Sequence, residues 1–190
     1  MYKVLGISGS LRQASFNTAL LEATRSYLPA QWEMDIAVPN DFPVYNEELQ
    51  HAGWPAVVTV LAEQIRSADL VIIATPEYNY SLPGGLKNAI DWISRLPEQP
   101  FKGKRVGIMG ASSGRLGTVR AQAHLRQCFQ FLDARVLNKP EVFVGFSAQV
   151  FNQGRLIDDA TITALQAFIA AAVSFVADDP VQRPEYSNSK

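Results

Sequence analysis

Hydrophobic and polar positions along the chain follow two alternating patterns. Short apolar runs predict β-strands, and longer stretches with apolar residues at every third or fourth position predict helices. The strands are predicted at residues 3–7, 32–38, 69–75, 105–110 and, for a fifth strand in two parts, 135–137 and 141–144. The helices are predicted at residues 17–28, 54–67, 84–96, 118–132 and 158–177, and residues 39–53 are predicted to be a Pro-rich loop.

The alternation of strands with helices predicts a parallel sheet that is covered by helices on both faces. Five strands fit the doubly wound order 2-1-3-4-5, in which ligands bind beyond the carboxyl ends of strands 1 and 3. The loops that follow residues 7, 75 and 110 are therefore expected to carry the chemistry. We expect residues 1–178 to form a single domain and the polar residues 179–190 to form a disordered tail.

The loop after the first strand is rich in small and polar residues and opens a helix. Ser10, Ser15 and Asn17 offer short hydrogen-bonding side chains, and Arg12 offers a cation that suits phosphate geometry. Together with the N–H groups at the helix start, they predict a phosphate site. The alternative is that Ser15 or Asn17 only caps the helix. The loop matches neither the Walker A nor the GxGxxG spacing, which weakens triphosphate and Rossmann dinucleotide interpretations.

The loop after the third strand combines stiff, aromatic and small residues in the stretch 75–88. Tyr78 and Tyr80 supply planar surface with polar tips, and Asn79 supplies both a donor and an acceptor. These residues suit a planar heterocycle with polar edges. The alternative is an aromatic loop that only seals the end of the sheet.

Two stretches, TPEYNYSLPGGLKNAIDW at residues 75–92 and GSLRQASFN at residues 9–17, together resemble the NADPH-dependent FMN reductase family. The resemblance covers almost the whole chain, is greatest to the quinone and chromate reductase branch, and extends in fold to azoreductases. It implies a flavodoxin-like doubly wound five-stranded parallel sheet, with FMN bound by its phosphate in the first loop. The phosphate positions so implied are Ser10, Arg12, Ser15 and Asn17, with main-chain contacts from Leu11 and Phe16. The positions implied beside the isoalloxazine are Pro76, Glu77, Tyr78 and Asn79, largely through backbone atoms, and Ser112, Ser113 and Gly114 in the loop after the fourth strand.

The family resemblance also implies an activity: electrons pass from NADPH, or NADH, through FMN to quinones or other small acceptors such as chromate, azo compounds or free flavin. The implied mechanism is ping-pong and needs no catalytic side chain, because the cofactor carries the chemistry. A homodimer or homotetramer is implied as well, and apolar stripes on the third and fourth predicted helices indicate either that interface or the core. Three alternatives stay open: a non-enzymatic electron carrier like flavodoxin, a protein for which FMN is a diffusing substrate, and an FMN-binding regulatory protein.

The composition and charge of the chain limit the classes of binding partner that we expect. The formal net charge of −1 gives no support for nucleic acid or an anionic membrane surface, and it gives little of the electrostatic steering on which acidic carriers rely. His51 and His124 have no partners at metal-ligand spacing, so no metal is expected, and the single cysteine, Cys128, favours a buried thiol. No secretory signal and no uninterrupted apolar run of about 18 residues is apparent, so a cytoplasmic protein is expected.

Overall fold

The computed structural model describes residues 1–177, and the predicted tail at residues 179–190 lies outside the described residues. The strands are β1 (Tyr2–Ser8), β2 (Trp32–Ala37), β3 (Leu70–Ala74), β4 (Arg105–Ala111), β5 (Arg135–Val136), β6 (Val142–Val144), β7 (Phe151–Asn152) and β8 (Arg155–Leu156). The helices are α1 (Phe16–Arg25), α2 (Glu47–Ala52), α3 (Ala56–Ser67), α4 (Gly84–Ser94), α5 (Val119–Phe131), α6 (Ser147–Val150) and α7 (Asp159–Ala177).

The strands β1 to β6 form one parallel sheet in the order β2-β1-β3-β4-β5, with β6 also paired to β4. The predicted doubly wound order is therefore confirmed. β5 pairs with Arg105 and Val106 at the start of β4, and β6 pairs with Met109, Gly110 and Ala111 at its end. The prediction of an edge strand in two parts is also confirmed, since the segment between β5 and β6 leaves the sheet.

Both faces of the central strands are buried, which accounts for the uninterrupted apolar run of β3. Val71 and Ile73 belong to a first core cluster with α3, α4 and α5, and Ile72 belongs to a second cluster with α1 and α7. The apolar stripes of α4 and α5 lie in the first cluster, where their large residues are all buried: Leu86, Ile90, Ile93, Leu125, Phe129 and Leu132. These stripes are core, so their interpretation as a subunit interface is wrong.

Three short elements were not predicted from the sequence. The helix α2 lies inside the Pro-rich loop, is capped by Asn46, and buries none of its residues, so it has no apolar period. The helix α6 and the β7–β8 hairpin are too short for any periodicity, and the hairpin turns through Gln153 and Gly154, which both have positive φ. Pro55 is the N-cap of α3 and does not lie in its first turn, so that helix begins two residues later than predicted.

The helix α7 is long and apolar enough to cross a membrane by length and composition, although no uninterrupted apolar run announces it. Its large residues Leu165, Phe168 and Ile169 are nevertheless buried in the second core cluster. Its exposed positions are mostly small or polar: Ala160, Thr163, Gln166, Ala167, Ala170 and Ser174. This is the pattern of a helix that covers one face of a sheet.

Candidate functional site

Three loops meet beyond the carboxyl ends of β1, β3 and β4, at the edge where doubly wound sheets bind ligands. They line two cavities of about 160 and 480 Å³, which share Glu77, Ser112 and Ser113. The smaller cavity is lined by Ser10, Arg12, Ser15, Phe16, Asn17, Pro76, Glu77, Tyr78, Ala111, Ser112, Ser113 and Ser147. The larger cavity is lined by Glu77, Asn79, Tyr80, Ser112, Ser113, Gly114, Arg115, Leu116, Gly117 and Arg120.

Every predicted site residue except Leu11 therefore lines one of these cavities. Leu11 is half-exposed, and its side chain lies against Gly85, where an added Cβ would come within 3.2 Å of it. The larger cavity alone falls in the range of small-molecule sites, about 300–1,000 Å³. The three loops thus come together as predicted, and they leave room for a ligand with two chemically different ends.

Ser15 and Asn17 both have roles in the fold at the start of α1. The Ser15 hydroxyl accepts hydrogen bonds from the N–H groups of Asn17 and Thr18 at 3.2 and 3.3 Å, so Ser15 is the N-cap. The Asn17 amide donates to the carbonyl oxygen of Ala111 at 2.9 Å and accepts from the N–H of Ala111 at 2.8 Å. Ser15 therefore caps α1 and also lines the smaller cavity, while Asn17 ties α1 to the end of β4.

Arg12 lines the smaller cavity and carries a positive charge there. Its guanidinium donates to the carbonyl oxygen of Ala14 at 2.6 Å and lies 5.6 Å from the ring centroid of Phe16. No carboxylate within residues 1–177 forms an ion pair with Arg12. The charge is thus held in place by neutral groups and is available to an anionic ligand.

The second loop ends in a tight hairpin. Tyr78 and Ser81 exchange two backbone hydrogen bonds of 3.0 and 2.9 Å. The residues between them, Asn79 and Tyr80, have φ values of 49° and 64°, as both central residues do in a type I′ turn. Each such left-handed non-glycine residue costs about 1–3 kcal/mol, so the surrounding contacts must hold the turn in place.

The side chains of this second loop are used to attach it to α5. The Glu77 carboxylate accepts from the N–H groups of Arg120 and Ala121 at 2.9 and 3.1 Å, and from the Arg120 guanidinium at 3.1 Å. The Arg120 guanidinium also lies 3.9 Å from the ring centroid of Tyr80. Glu77 therefore caps α5, and its carboxylate is engaged within the protein.

The end of β4, from which the third loop leaves, lies so close to the second loop that Gly110 admits no side chain. A Cβ added there would lie 2.2 Å from the carbonyl oxygen of Thr75 and 2.3 Å from the hydroxyl of Thr118. Further along, the Ser112 hydroxyl donates to the carbonyl oxygen of Gly117 at 2.6 Å. Small residues in this loop thus allow the two loops to pack together and form one wall of both cavities.

The site contains no arrangement for metal binding or for side-chain acid–base chemistry. Within residues 1–177, no three His, Cys, Asp or Glu side chains gather in a way that could hold a metal ion. His124 lies near the hairpin, where its Nδ1 is 3.0 Å from the Ser81 hydroxyl oxygen. Cys128 lines neither cavity, and burial raises the pKa of its thiol. What the loops offer is hydrogen-bond donors and the guanidinium groups of Arg12 and Arg115, for which no ion pair is seen within residues 1–177.

Sequence reasoning missed several lining residues, chiefly Ala111, Arg120 and Ser147. Ala111 and Arg120 flank the third loop, so a wider window around that loop would have included them. Ser147 follows β6, and the rule that ligands bind at carboxyl ends of parallel strands applies there too. Its short strand made that rule hard to apply from the sequence alone.

The parallel sheet, its strand order and the loops at the switch point define the class: a flavodoxin-like α/β protein with a ligand site at its carboxyl edge. Comparison with known proteins gives the family. The model of the NADPH-dependent FMN reductases matches residues 2–149. The chain belongs to the NADPH-dependent FMN reductase family, so the family predicted from the two loop sequences is confirmed, and it is an oxidoreductase.

Two relatives and one solved structure are similar to this chain over nearly their whole length. An NAD(P)H-dependent FMN reductase of Pseudomonas aeruginosa is 51% identical over 170 residues, covering 89% of this chain and 92% of the relative. A quinone reductase of Escherichia coli K12 is 47% identical over 179 residues, covering 92% and 95%. The structure of FerB, a flavoenzyme NAD(P)H:(acceptor) oxidoreductase from Paracoccus denitrificans, has a TM-score of 0.85 at 33% identity, covering 94% and 98%.

Proposed function

We propose that this chain binds FMN across the two cavities and uses it to pass electrons from NADPH or NADH to quinones. Chromate, azo compounds and free flavin are further acceptors in the proposal. One observation carries it: the smaller cavity offers hydroxyls and an unpaired cation, and it adjoins a larger cavity that is lined by Tyr80 and by small residues of the third loop. A phosphate monoester joined to a planar ring needs both environments.

The residues of the smaller cavity would hold the phosphate. Ser10 and Ser15 supply hydroxyls, and Arg12 supplies the cation. Asn17 has a second amide N–H beyond the one that it gives to Ala111. Leu11 and Phe16 would contribute backbone N–H groups. A dianionic phosphate suits this donor set, so the residues present fit FMN.

The second and third loops would hold the ring. Pro76, Glu77, Tyr78 and Asn79 would contact it largely through backbone atoms, and Ser112, Ser113 and Gly114 would contact it from the third loop; all seven residues line the cavities. When bound, FMN supplies the capacity to accept a hydride and to give up the electron pair to a second molecule. The protein's part is to bind, orient and partly shield the ring, which agrees with the absence of an acid–base pair among the cavity residues.

The test of this function is steady-state oxidation of NADPH with a benzoquinone as acceptor. Because donor and acceptor would use the same open cavity in turn, we expect ping-pong kinetics, seen as parallel double-reciprocal lines. Negligible NADPH turnover by protein that retains its flavin would favour an electron carrier or a regulatory protein instead. Turnover that needs continued addition of free FMN would indicate that FMN is a diffusing substrate.

We further propose a single domain over residues 1–178, a homodimer or homotetramer, and a cytoplasmic location without nucleic acid or membrane partners. The near-neutral net charge supports the absence of polyanionic partners. Light scattering at micromolar concentration tests the assembly, and a monomer would contradict it.

A further inference from the structure

Phe16 lines the smaller cavity, and its ring contacts both a core residue and a charged residue. The centroid of the ring lies 5.4 Å from that of Phe151, at an interplanar angle of 31°. The guanidinium carbon of Arg12 lies 5.6 Å from the Phe16 centroid, within the distance of about 6 Å that defines a cation–π contact. The proposed function uses only the backbone of Phe16, so it gives the ring no role.

The structure around Phe16 holds its ring in place. Ser15 is the N-cap of α1, and this fixes the backbone of Phe16 as the first residue of the helix. The ring packs against the second core cluster, to which the buried Phe151 at the start of β7 belongs. The position of the ring is therefore set by the fold and does not depend on a ligand.

The side chain of Arg12 is exposed and has few contacts of its own. Within residues 1–177, its guanidinium makes one hydrogen bond, to the carbonyl oxygen of Ala14. A long arginine side chain loses rotamer freedom when a ligand binds it, and this loss weakens binding. Because a planar guanidinium packs well on an aromatic ring, the contact with Phe16 restricts Arg12 before a ligand arrives.

Charge decides which part of FMN the Arg12 guanidinium would bind. Among the described residues that line the smaller cavity, Arg12 is the one cation, and the Glu77 carboxylate is engaged with α5. The negative charge of oxidised FMN lies on its phosphate, whereas the flavin ring is neutral. Coulomb attraction and charge-assisted hydrogen bonds therefore pair Arg12 with the phosphate.

We propose that the Phe16 side chain is a positioning residue for Arg12, which it holds in place to bind the phosphate of FMN. This inference rests on the proposed function. It gives the β7–β8 hairpin a part in the site, because Phe151 of that hairpin supports the Phe16 ring.

The test is a double-mutant cycle between Phe16→Leu and Arg12→Ala, read as the dissociation constants of FMN and riboflavin from the cofactor-free protein. Riboflavin lacks the phosphate. With Arg12 present, Phe16→Leu should raise the dissociation constant of FMN roughly twofold to fivefold, the range for an exposed cation–π contact. In the Arg12→Ala background, the same substitution should change it no further, because the residue that Phe16 positions is gone. Riboflavin affinity should stay unchanged in both backgrounds.

Phe16→Tyr keeps the aromatic ring and should bind FMN as the wild type does. The matched control is Phe131→Leu, at an exposed position on α5 outside both cavities, which should change neither affinity. A lower melting temperature is expected for Phe16→Leu in both backgrounds, because the contact with Phe151 is lost.

Four results would each overturn the inference: an unchanged FMN affinity in Phe16→Leu, an equal loss for riboflavin, an equal loss in the Arg12→Ala background, or a Phe16→Tyr variant as weak as Phe16→Leu. Wild-type protein that binds FMN while Phe16→Leu has no effect would refute this inference alone. If the wild-type protein binds no FMN, the proposed function itself is wrong and this inference falls with it.

Discussion

The first and second loops of the site surround the same space but use their residues in opposite ways. In the first loop, Arg12 and Ser10 line the smaller cavity, and within residues 1–177 their side chains have only neutral partners. In the second loop, the Glu77 carboxylate and the Tyr80 ring both contact Arg120. The first loop thus leaves a charged side chain available to a ligand, whereas two side chains of the second loop hold that loop against α5.

This difference predicts whether a substitution in either loop changes ligand affinity or the stability of the protein. A change in the first loop should alter ligand affinity and leave folding intact. A change in the second loop should alter the stability of the protein first and ligand affinity only indirectly. Ser15 and Asn17 are exceptions within the first loop, because Ser15 caps α1 and the Asn17 amide is bonded to the backbone of Ala111.

The largest effect is expected for a substitution of Asn17. Asn17→Ala would leave the buried N–H and carbonyl of Ala111 without partners, at on the order of 1–3 kcal/mol for each group. Urea unfolding of the cofactor-free protein measures the loss, with the exposed Asn152→Ala as control. A loss of unfolding free energy no greater than that of the control would show that water replaces the Asn17 amide and that this amide does not stabilise the fold.

Arg12→Ala tests the ligand-facing half of the comparison. We expect FMN binding to weaken by about 1.5–3 kcal/mol, since a hydrogen bond to a charged group is lost. Riboflavin affinity and the free energy of unfolding should not change. The control is Arg25→Ala, which removes an arginine paired with Glu22 on the surface of α1. An unchanged dissociation constant for FMN would mean that Arg12 does not meet the phosphate.

Glu77→Gln tests the structural half. The amide oxygen can still accept from α5, but the charge is gone, so unfolding should become easier by about 1–2 kcal/mol. FMN affinity should change less than it does in Arg12→Ala. Glu63→Gln, at an exposed pair with Arg66, is the control and should be near neutral. A large loss of FMN affinity with full stability would reverse the roles assigned to the two loops.

The smallest effect concerns Cys128, on the helix to which the second loop is attached. Burial raises the pKa of its thiol, so at pH 8 a smaller fraction is thiolate than in a free cysteine. Alkylation should therefore be slower than that of a model thiol and should speed up as the pH rises. FMN should leave the rate unchanged, and protection by FMN would indicate that α5 moves with the loop on binding.

Much of the fold and the position of the first loop could be predicted, because both depend on the local pattern of apolar and polar residues. β3 is buried on both faces, which leaves a continuous apolar run, and the first loop collects polar residues just before a helix. The bond between Asn17 and Ala111 joins positions 94 residues apart, and no spacing within a single sequence signals it. The capping of α5 by Glu77 also joins positions 43 residues apart, so the sequence does not reveal it. Ser147 was missed because the strand before it, β6, has only three residues.

The mass of the cofactor released from the purified, acid-denatured protein shows directly whether the site binds FMN. The first loop provides donors for one phosphate, and no second glycine-rich turn lies placed to bind a pyrophosphate within the smaller cavity. We therefore predict FMN as the released flavin, in up to one equivalent per chain. FAD as the sole flavin would contradict the account, because its diphosphate would need donors that these loops do not supply.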